Sequence, residues 1–102
     1  MKMYLISDNV DTQIGMRLAG IEGCVVHEAG EVRKELDRAI KDENIGIILL
    51  TEKLGKLMPD YVRSLKLELE TPLIVEIPDR HGSRDIAGSI NRLVREAIGL
   101  RL

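Results

Sequence analysis

Aromatic side chains are nearly missing from this chain of 102 residues: it has no Phe, no Trp and only two tyrosines, Tyr4 and Tyr61. Any core must therefore be built from interdigitating Ile, Leu and Val, and there are no bare aromatic platforms on which bases or sugars could stack. Cysteine is equally scarce. Cys24 stands alone, which excludes an intrachain disulfide, and its setting in Gly23-Cys24-Val25-Val26 reads as a small buried hydrophobe. The two histidines, His27 and His81, share no metal-ligand spacing with it. Charge of one sign is not in excess: 15 Lys and Arg against 17 Asp and Glu give a net charge of −2. No field of that size draws in phosphate backbones or anionic lipid, so nucleic-acid binding is not expected. No apolar run approaches the ~20 residues of a spanning helix, so no direct membrane insertion is expected. Met1-Lys2-Met3-Tyr4-Leu5-Ile6 leads straight into a strand without a targeting segment, which implies a cytosolic setting.

What the chain does have is an alternation of strand and helix signals. Ile45-Gly46-Ile47-Ile48-Leu49-Leu50 and Leu73-Ile74-Val75-Glu76-Ile77 are short, nearly unbroken apolar runs rich in β-branched residues. Joined by a helical stretch, they read as two parallel strands buried on both faces, the first of them central in the sheet. Met3-Tyr4-Leu5-Ile6-Ser7 reads as an opening strand, and Gly23 to His27 as a shorter second one. In the first helix Ile14, Leu18 and Ile21 recur at helical spacing, Asp11 is placed to cap its start, and Gly20 and Gly23 are placed to end it. The second helix follows Gly30 and carries Val32, Leu36, Ala39 and Ile40 on one stripe, with Glu31, Glu35, Lys34 and Arg38 on a solvated face. Thr51 reads as the cap of a third helix bearing Leu54, Leu57, Met58, Tyr61 and Leu65. Pro59 predicts a kink or a restart within it.

After strand four comes a polar loop, Pro78-Asp79-Arg80-His81-Gly82-Ser83-Arg84, and then a long stripe of Ile86, Ile90, Leu93, Val94, Ala97 and Ile98. A helix over Asp85 to Leu100 would extend about 22 Å. The chain thus reads as one domain, with residues 1–78 as a parallel α/β core and 79–102 as loop and terminal helix. Right-handed crossovers in a βαβαβαβα chain predict an α/β fold with a four-stranded parallel sheet in the flavodoxin-like or receiver-like order 2-1-3-4, helices on both faces and a C-terminal helix after a polar loop.

Ligands in such sheets gather at the carboxyl ends of the strands. Here those ends offer Ser7, Asp8, Asn9 and Asp11, then His27 and Glu28, then Thr51, Glu52 and Lys53, then Asp79, Arg80 and His81. Enzymatic readings fare poorly against that rim. A phosphate loop needs glycines whose N–H groups converge on the anion, yet neither G-x-G-x-x-G nor G-x-x-x-x-G-K-[ST] occurs, and the first strand leads into carboxylates. A receiver domain could use Asp8 and Asp11 for Mg²⁺, but Thr51 stands where its phosphoacceptor Asp would be. No nucleophile-elbow motif supports a hydrolytic triad. No cofactor, metal or catalytic residue is therefore assigned.

The strand ending Ile47-Ile48-Leu49-Leu50-Thr51-Glu52, the lysine-containing helix after it and the strand Pro72-Leu73-Ile74-Val75-Glu76-Ile77-Pro78 resemble the F subunit of the V-type and A-type rotary ATPases. The likeness runs from the opening strand ending in Ser7-Asp8, through Thr12 to Gly20, to the helix after the polar loop; Ser7 and Asn9 depart from the family's frequent acidic start. The resemblance implies a non-catalytic part of the central rotor stalk of a proton- or sodium-translocating ATPase or ATP synthase. It implies as partners the coiled coil of the D subunit and the other rotary ATPase subunits, and a cytoplasmic place peripheral to the membrane. Docking on a coiled coil calls for an exposed apolar strip with charged flanks. The candidate contacts are Leu93, Ala97 and Leu100 beside Arg92, Arg95 and Arg101, with Arg80 and Arg84 in the loop as secondary candidates. Two alternatives stand beside this: the stripe covers the sheet and the helix around Tyr61 and Leu65 makes the contact, or the chain is a receiver-like regulatory module without a phosphoacceptor.

Overall fold

The computed structural model describes residues 1–78. In chain order these form β1 (Lys2–Ser7), α1 (Val10–Leu18), β2 (Glu22–Val25), α2 (Ala29–Lys41), β3 (Ile45–Thr51), α3 (Glu52–Gly55), α4 (Pro59–Glu68) and β4 (Leu73–Ile77). The terminal helix, the loop before it, and the candidate contacts Arg80, Arg84, Arg92, Leu93, Arg95, Ala97, Leu100 and Arg101 lie outside the described residues. So do Asp79 and His81 of the rim.

The four strands pair in parallel throughout, in the order β2-β1-β3-β4, as the crossover rule predicts. All seven residues of β3 are buried, which is why its sequence is apolar without alternation. Side chains alternate across the sheet and divide the core in two. On one face Tyr4, Ile6, Ile48, Leu50 and Ile74 pack with Val32, Leu36 and Ala39 of α2, Leu54 of α3 and Val62 of α4. On the other face Leu5, Ile47, Leu49, Val75 and Ile77 pack with Met16 of α1.

The rotation of α1 differs from the expected one. Ile14 and Leu18 are 50% and 85% exposed, and Thr12 and Met16 face the sheet instead. Two residues of separation turn a helix by about 200°, so a helix seated on Met16 carries Ile14 and Leu18 on its outer side. Its ends hold that rotation. Asn9, rather than Asp11, caps the start, its side-chain oxygen accepting the Thr12 N–H at 3.1 Å. At the far end Gly20, with a φ of 89°, reverses the chain and lets the Ile21 N–H reach the Met16 carbonyl at 2.9 Å. Gly23, expected as a second stop signal, lies within β2, which ends at Val25 rather than at His27.

On the other face α2 follows its predicted stripe, with Val32, Leu36 and Ala39 fully buried. Part of its polar face is structural rather than merely solvated. The Glu31 carboxylate accepts the backbone N–H groups of His27 and Glu28, both at 3.3 Å, closing the start of the helix. Pro59 does restart the chain: α3 ends at Gly55 and α4 begins at Pro59, the first-turn position where a missing N–H costs nothing. Leu57, expected on the core stripe, falls in the break and is 46% exposed.

Close approach between β1 and β2 depends on one glycine. Gly23 lies opposite Leu5, and a Cβ placed on it would stand 2.6 Å from the Leu5 Cβ and 2.7 Å from the Leu5 carbonyl oxygen. Neither atom can step aside without moving β1. Gly23→Ala is expected to destabilise the fold by about 1–3 kcal/mol, measured by urea unfolding. Gly46→Ala serves as the contrast, because its added methyl meets only the exposed, flexible Met1 side chain. That change should cost less than about 1 kcal/mol, and equal costs at the two glycines would refute the assignment of strain to Gly23.

Candidate functional site

At the ends of β1 and β3 the carboxyl rim of the sheet, where a small-molecule site would be expected, is occupied by its own polar groups. Ser7 is fully buried at the end of β1; its hydroxyl donates to the Asn9 carbonyl at 3.0 Å and accepts the Asn9 N–H at 2.9 Å. Asn9 in turn spends its side-chain oxygen on the cap of α1. Thr51, buried at the end of β3, donates its hydroxyl proton to Asp8 Oδ1 at 2.8 Å and accepts the Asp8 backbone N–H at 3.3 Å. The second Asp8 oxygen lies 4.0 Å from Lys53 Nζ.

Thr51 thus has a different job from the one its position suggests. It occupies the cap position of α3 but makes no side-chain cap hydrogen bond. The hydroxyl oxygen accepts the Asp8 N–H instead of a backbone N–H of α3, and the hydroxyl proton goes to the Asp8 carboxylate, so Thr51 is turned towards the residue that follows β1. Asp8 and Thr51 form a latch between the carboxyl ends of β1 and β3, with both hydroxyl functions committed. His27 and Glu28 at the end of β2 are exposed and do not join them. Among the described residues no three His, Cys, Asp or Glu side chains come together to hold a metal ion. What this arrangement does chemically is tie strands together.

Both tyrosines are tied to α2. The Tyr4 hydroxyl donates to Glu35 Oε1 at 3.2 Å and accepts from Arg38 Nη2 at 2.6 Å, with the guanidinium 5.2 Å above the ring centre. The Tyr61 hydroxyl of α4 donates to Asp37, and Arg33 lies 4.5 Å above its ring. Burial first, then the neighbouring Cys24, pushes the Tyr4 phenol well above its usual range against the opposing pull of Arg38. Burial likewise raises the Cys24 thiol, and burial followed by the Asp37 hydrogen bond raises Tyr61. Glu35 moves down, chiefly through the hydrogen bond from Arg38. Cys24 is half-buried against this cluster, close to the small hydrophobe expected.

The features that look outward are on the periphery. Val10, Ile14 and Leu18 of α1, spaced by four, form a row of exposed apolar side chains at 55%, 50% and 85% exposure. The sequence carries this signal in the same residues that suggest a core stripe; Met16, two positions off the row, is the competing clue. Tyr61 and Leu65, the alternative contacts, pack partly buried against the core. No helix among the described residues is long and apolar enough to cross a membrane.

Residues 3–94 match the family described as ATP synthase (F/14-kDa) subunit. The whole chain aligns with the F subunit of the A-type ATP synthase of Methanocaldococcus jannaschii at 32% identity, covering 99% of that protein. It also aligns over its full length with the F subunit of the A-type ATP synthase of Thermococcus gammatolerans, at 36% identity and 98% coverage. The F subunit of the V-type ATP synthase of Fusobacterium nucleatum is 33% identical across 99% of this chain and 94% of its own.

Two measurements test the site. Thr51→Val keeps the shape and removes the hydroxyl, so it should cost about 1.5–3 kcal/mol in urea unfolding, whereas Thr51→Ser should recover most of that. A cost no greater than a few tenths for Val would dissolve the latch. The titrating groups set the pH profile. A phenol whose folded pKa is raised contributes stability that is complete below its unfolded value near 10 and is lost as pH climbs through the folded one. Glu35, shifted down, contributes above about 4.3 and loses that contribution as pH falls. Stability should therefore decline at both ends, and Tyr4→Phe should flatten the alkaline limb above about pH 10; an unaltered slope would assign that limb to other groups.

Proposed function

The chain belongs to the ATP synthase (F/14-kDa) subunit family, the F subunits of A-type and V-type ATP synthases, and from this we propose that it is a non-catalytic element of their rotating central stalk. In this reading it docks on the coiled coil of the D subunit, helps couple ATP turnover to proton or sodium transport, and sits on the cytoplasmic side, peripheral to the membrane. The observation that carries the reading is the row Val10, Ile14 and Leu18. Three apolar side chains on the outer face of a helix leave half or more of their surface uncovered and belong to neither core cluster, and their spacing of four matches the ridge one helix offers another. The committed hydroxyls of Ser7 and Thr51 support a role without chemistry. The sheet's stiffness suits a part that transmits torque, since interlocked aliphatic cores deform little.

A second set of contacts is proposed on the C-terminal segment: Leu93, Ala97 and Leu100, flanked by Arg92, Arg95 and Arg101, with Arg80 and Arg84 preceding them. An apolar side chain buried at such an interface contributes about 1–2 kcal/mol, more at a hot spot.

Ile14→Asp with Leu18→Asp should weaken binding to the purified D subunit by at least about tenfold, with an unchanged melting curve because both positions are exposed. Leu93→Asp with Ala97→Asp tests the second set in the same calorimetric titration. Undiminished affinity in both folded double variants would place the interface elsewhere. A wild-type chain that fails to bind this coiled-coil partner would remove the proposal itself.

A further inference from the structure

Beside the edge strand β4 lies an open groove of about 250 Å³, lined by Gly55, Lys56, Pro59, Arg63, Lys66 and Glu76. Three of these side chains are cations and one is an anion. The anion is already used: Lys66 Nζ lies 2.8 Å from Glu76 Oε1, joining α4 to β4. Gly55 forms the floor, and a Cβ there would crowd the Glu76 carboxyl carbon at 3.3 Å, so the glycine lets the carboxylate sit where Lys66 meets it. The side chains of Lys56 and Arg63 are exposed and have neither a hydrogen bond nor an ion pair among the described residues. No anion among the described residues offsets these two charges, and like charges around one concavity repel one another. In a chain whose net charge is −2, this is a local surplus of positive charge.

We propose that this groove is a docking site for carboxylates on an acidic surface segment of a neighbouring protein in the assembled ATP synthase, separate from the apolar row on α1. The proposal rests on the reading of the chain as a stalk component. Arg63 offers a planar fork that matches a carboxylate in two parallel hydrogen bonds, and Lys56 supplies a point charge on a flexible stem in the same groove. A protein fits better than a free anion: Leu57, which follows Lys56 in the chain, is 46% exposed, so exposed basic and apolar residues are consecutive there. Free phosphate would call for converging backbone N–H groups, and α4 opens with Pro59, which lacks one. Charges of this kind steer and orient a partner, so their signature is dependence on salt.

The test uses the other subunits of the complex, purified and assembled without this one, and a fluorescently labelled chain added at about 50 to 300 mM NaCl. Lys56→Glu with Arg63→Glu should raise the apparent Kd at least tenfold at low salt and flatten its salt dependence, with an unchanged melting curve. Should the double reversal fold poorly, Lys56→Ala with Arg63→Ala is expected to give a smaller loss of affinity and the same flattening. Wild-type affinity and salt slope in the folded variant, while Ile14→Asp with Leu18→Asp still weakens binding, would overturn the groove and leave the stalk reading standing. A wild-type chain that does not join the complex would overturn both. If inorganic phosphate raises the melting temperature of the wild type and not of the double variant, the groove is an anion site and the docking proposal falls.

Discussion

A parallel strand with no solvent face sets the terms for everything else in this molecule. Every residue of β3 is buried, so material must cover both sides of the sheet. The chain meets this demand unevenly. On one side α2, α3 and α4 bring Val32, Leu36, Ala39, Leu54 and Val62 onto the sheet. On the other, α1 is the only helix among the described residues, and it packs on β1 and β2 with Met16 as its inserted side chain. The helix that carries least of the core is thus the one with surface to spare, and that is where the exposed row of Val10, Ile14 and Leu18 lies.

With so few aromatic residues, each does a linking task that an aliphatic side chain could not. Tyr4 rises from the middle of β1 to place its hydroxyl between Glu35 and Arg38, and Tyr61 reaches from α4 to Asp37 under Arg33. Both fasten α2, one to the sheet and one to the neighbouring helix. Burial without a partner would cost each hydroxyl a few kcal/mol, so the acids and arginines that looked like a solvated stripe are what make tyrosine admissible there. The stripe itself was readable in the sequence; its partners across 24 to 34 residues were not, because pairing of that range is decided by topology.

The strands, their order and the break at Pro59 were legible because each rests on a strong local rule: continuous apolar runs mark buried parallel strands, crossovers are right-handed, and proline starts helices. Two things were hidden for opposite reasons. In α1 the sequence held two apolar sets about 200° apart, and only the Asn9 cap and the Gly20 reversal select Met16 for the sheet. At Thr51 the local rule was sound, since threonine does cap helices, but Asp8, just past the end of the adjacent strand, offers the hydroxyl both an N–H to accept and a carboxylate to donate to. Local chemistry proposes such assignments and the neighbouring strand disposes of them. Cys24 sits between these cases, recognisable as a packing residue but only half-buried because β2 is an edge strand.

The same latch bears on function. In open α/β sheets the carboxyl rim collects ligands because strand ends leave polar groups converging on a crevice. Here Ser7, Asp8, Asn9 and Thr51 satisfy one another within the fold, and a ligand would have to break charged or buried hydrogen bonds to compete. In this receiver-like framework the ends of β1 and β3 are thereby fastened together, and the fold alone does not imply chemistry there. The surfaces proposed for attachment lie away from the described rim, an apolar row on one side of the sheet and a basic groove on the other. A stalk component gripped at two places on opposite sides resists rotation relative to its partners, which a single contact would not do. For the proposed role, the distance between the two surfaces matters as much as the chemistry of either.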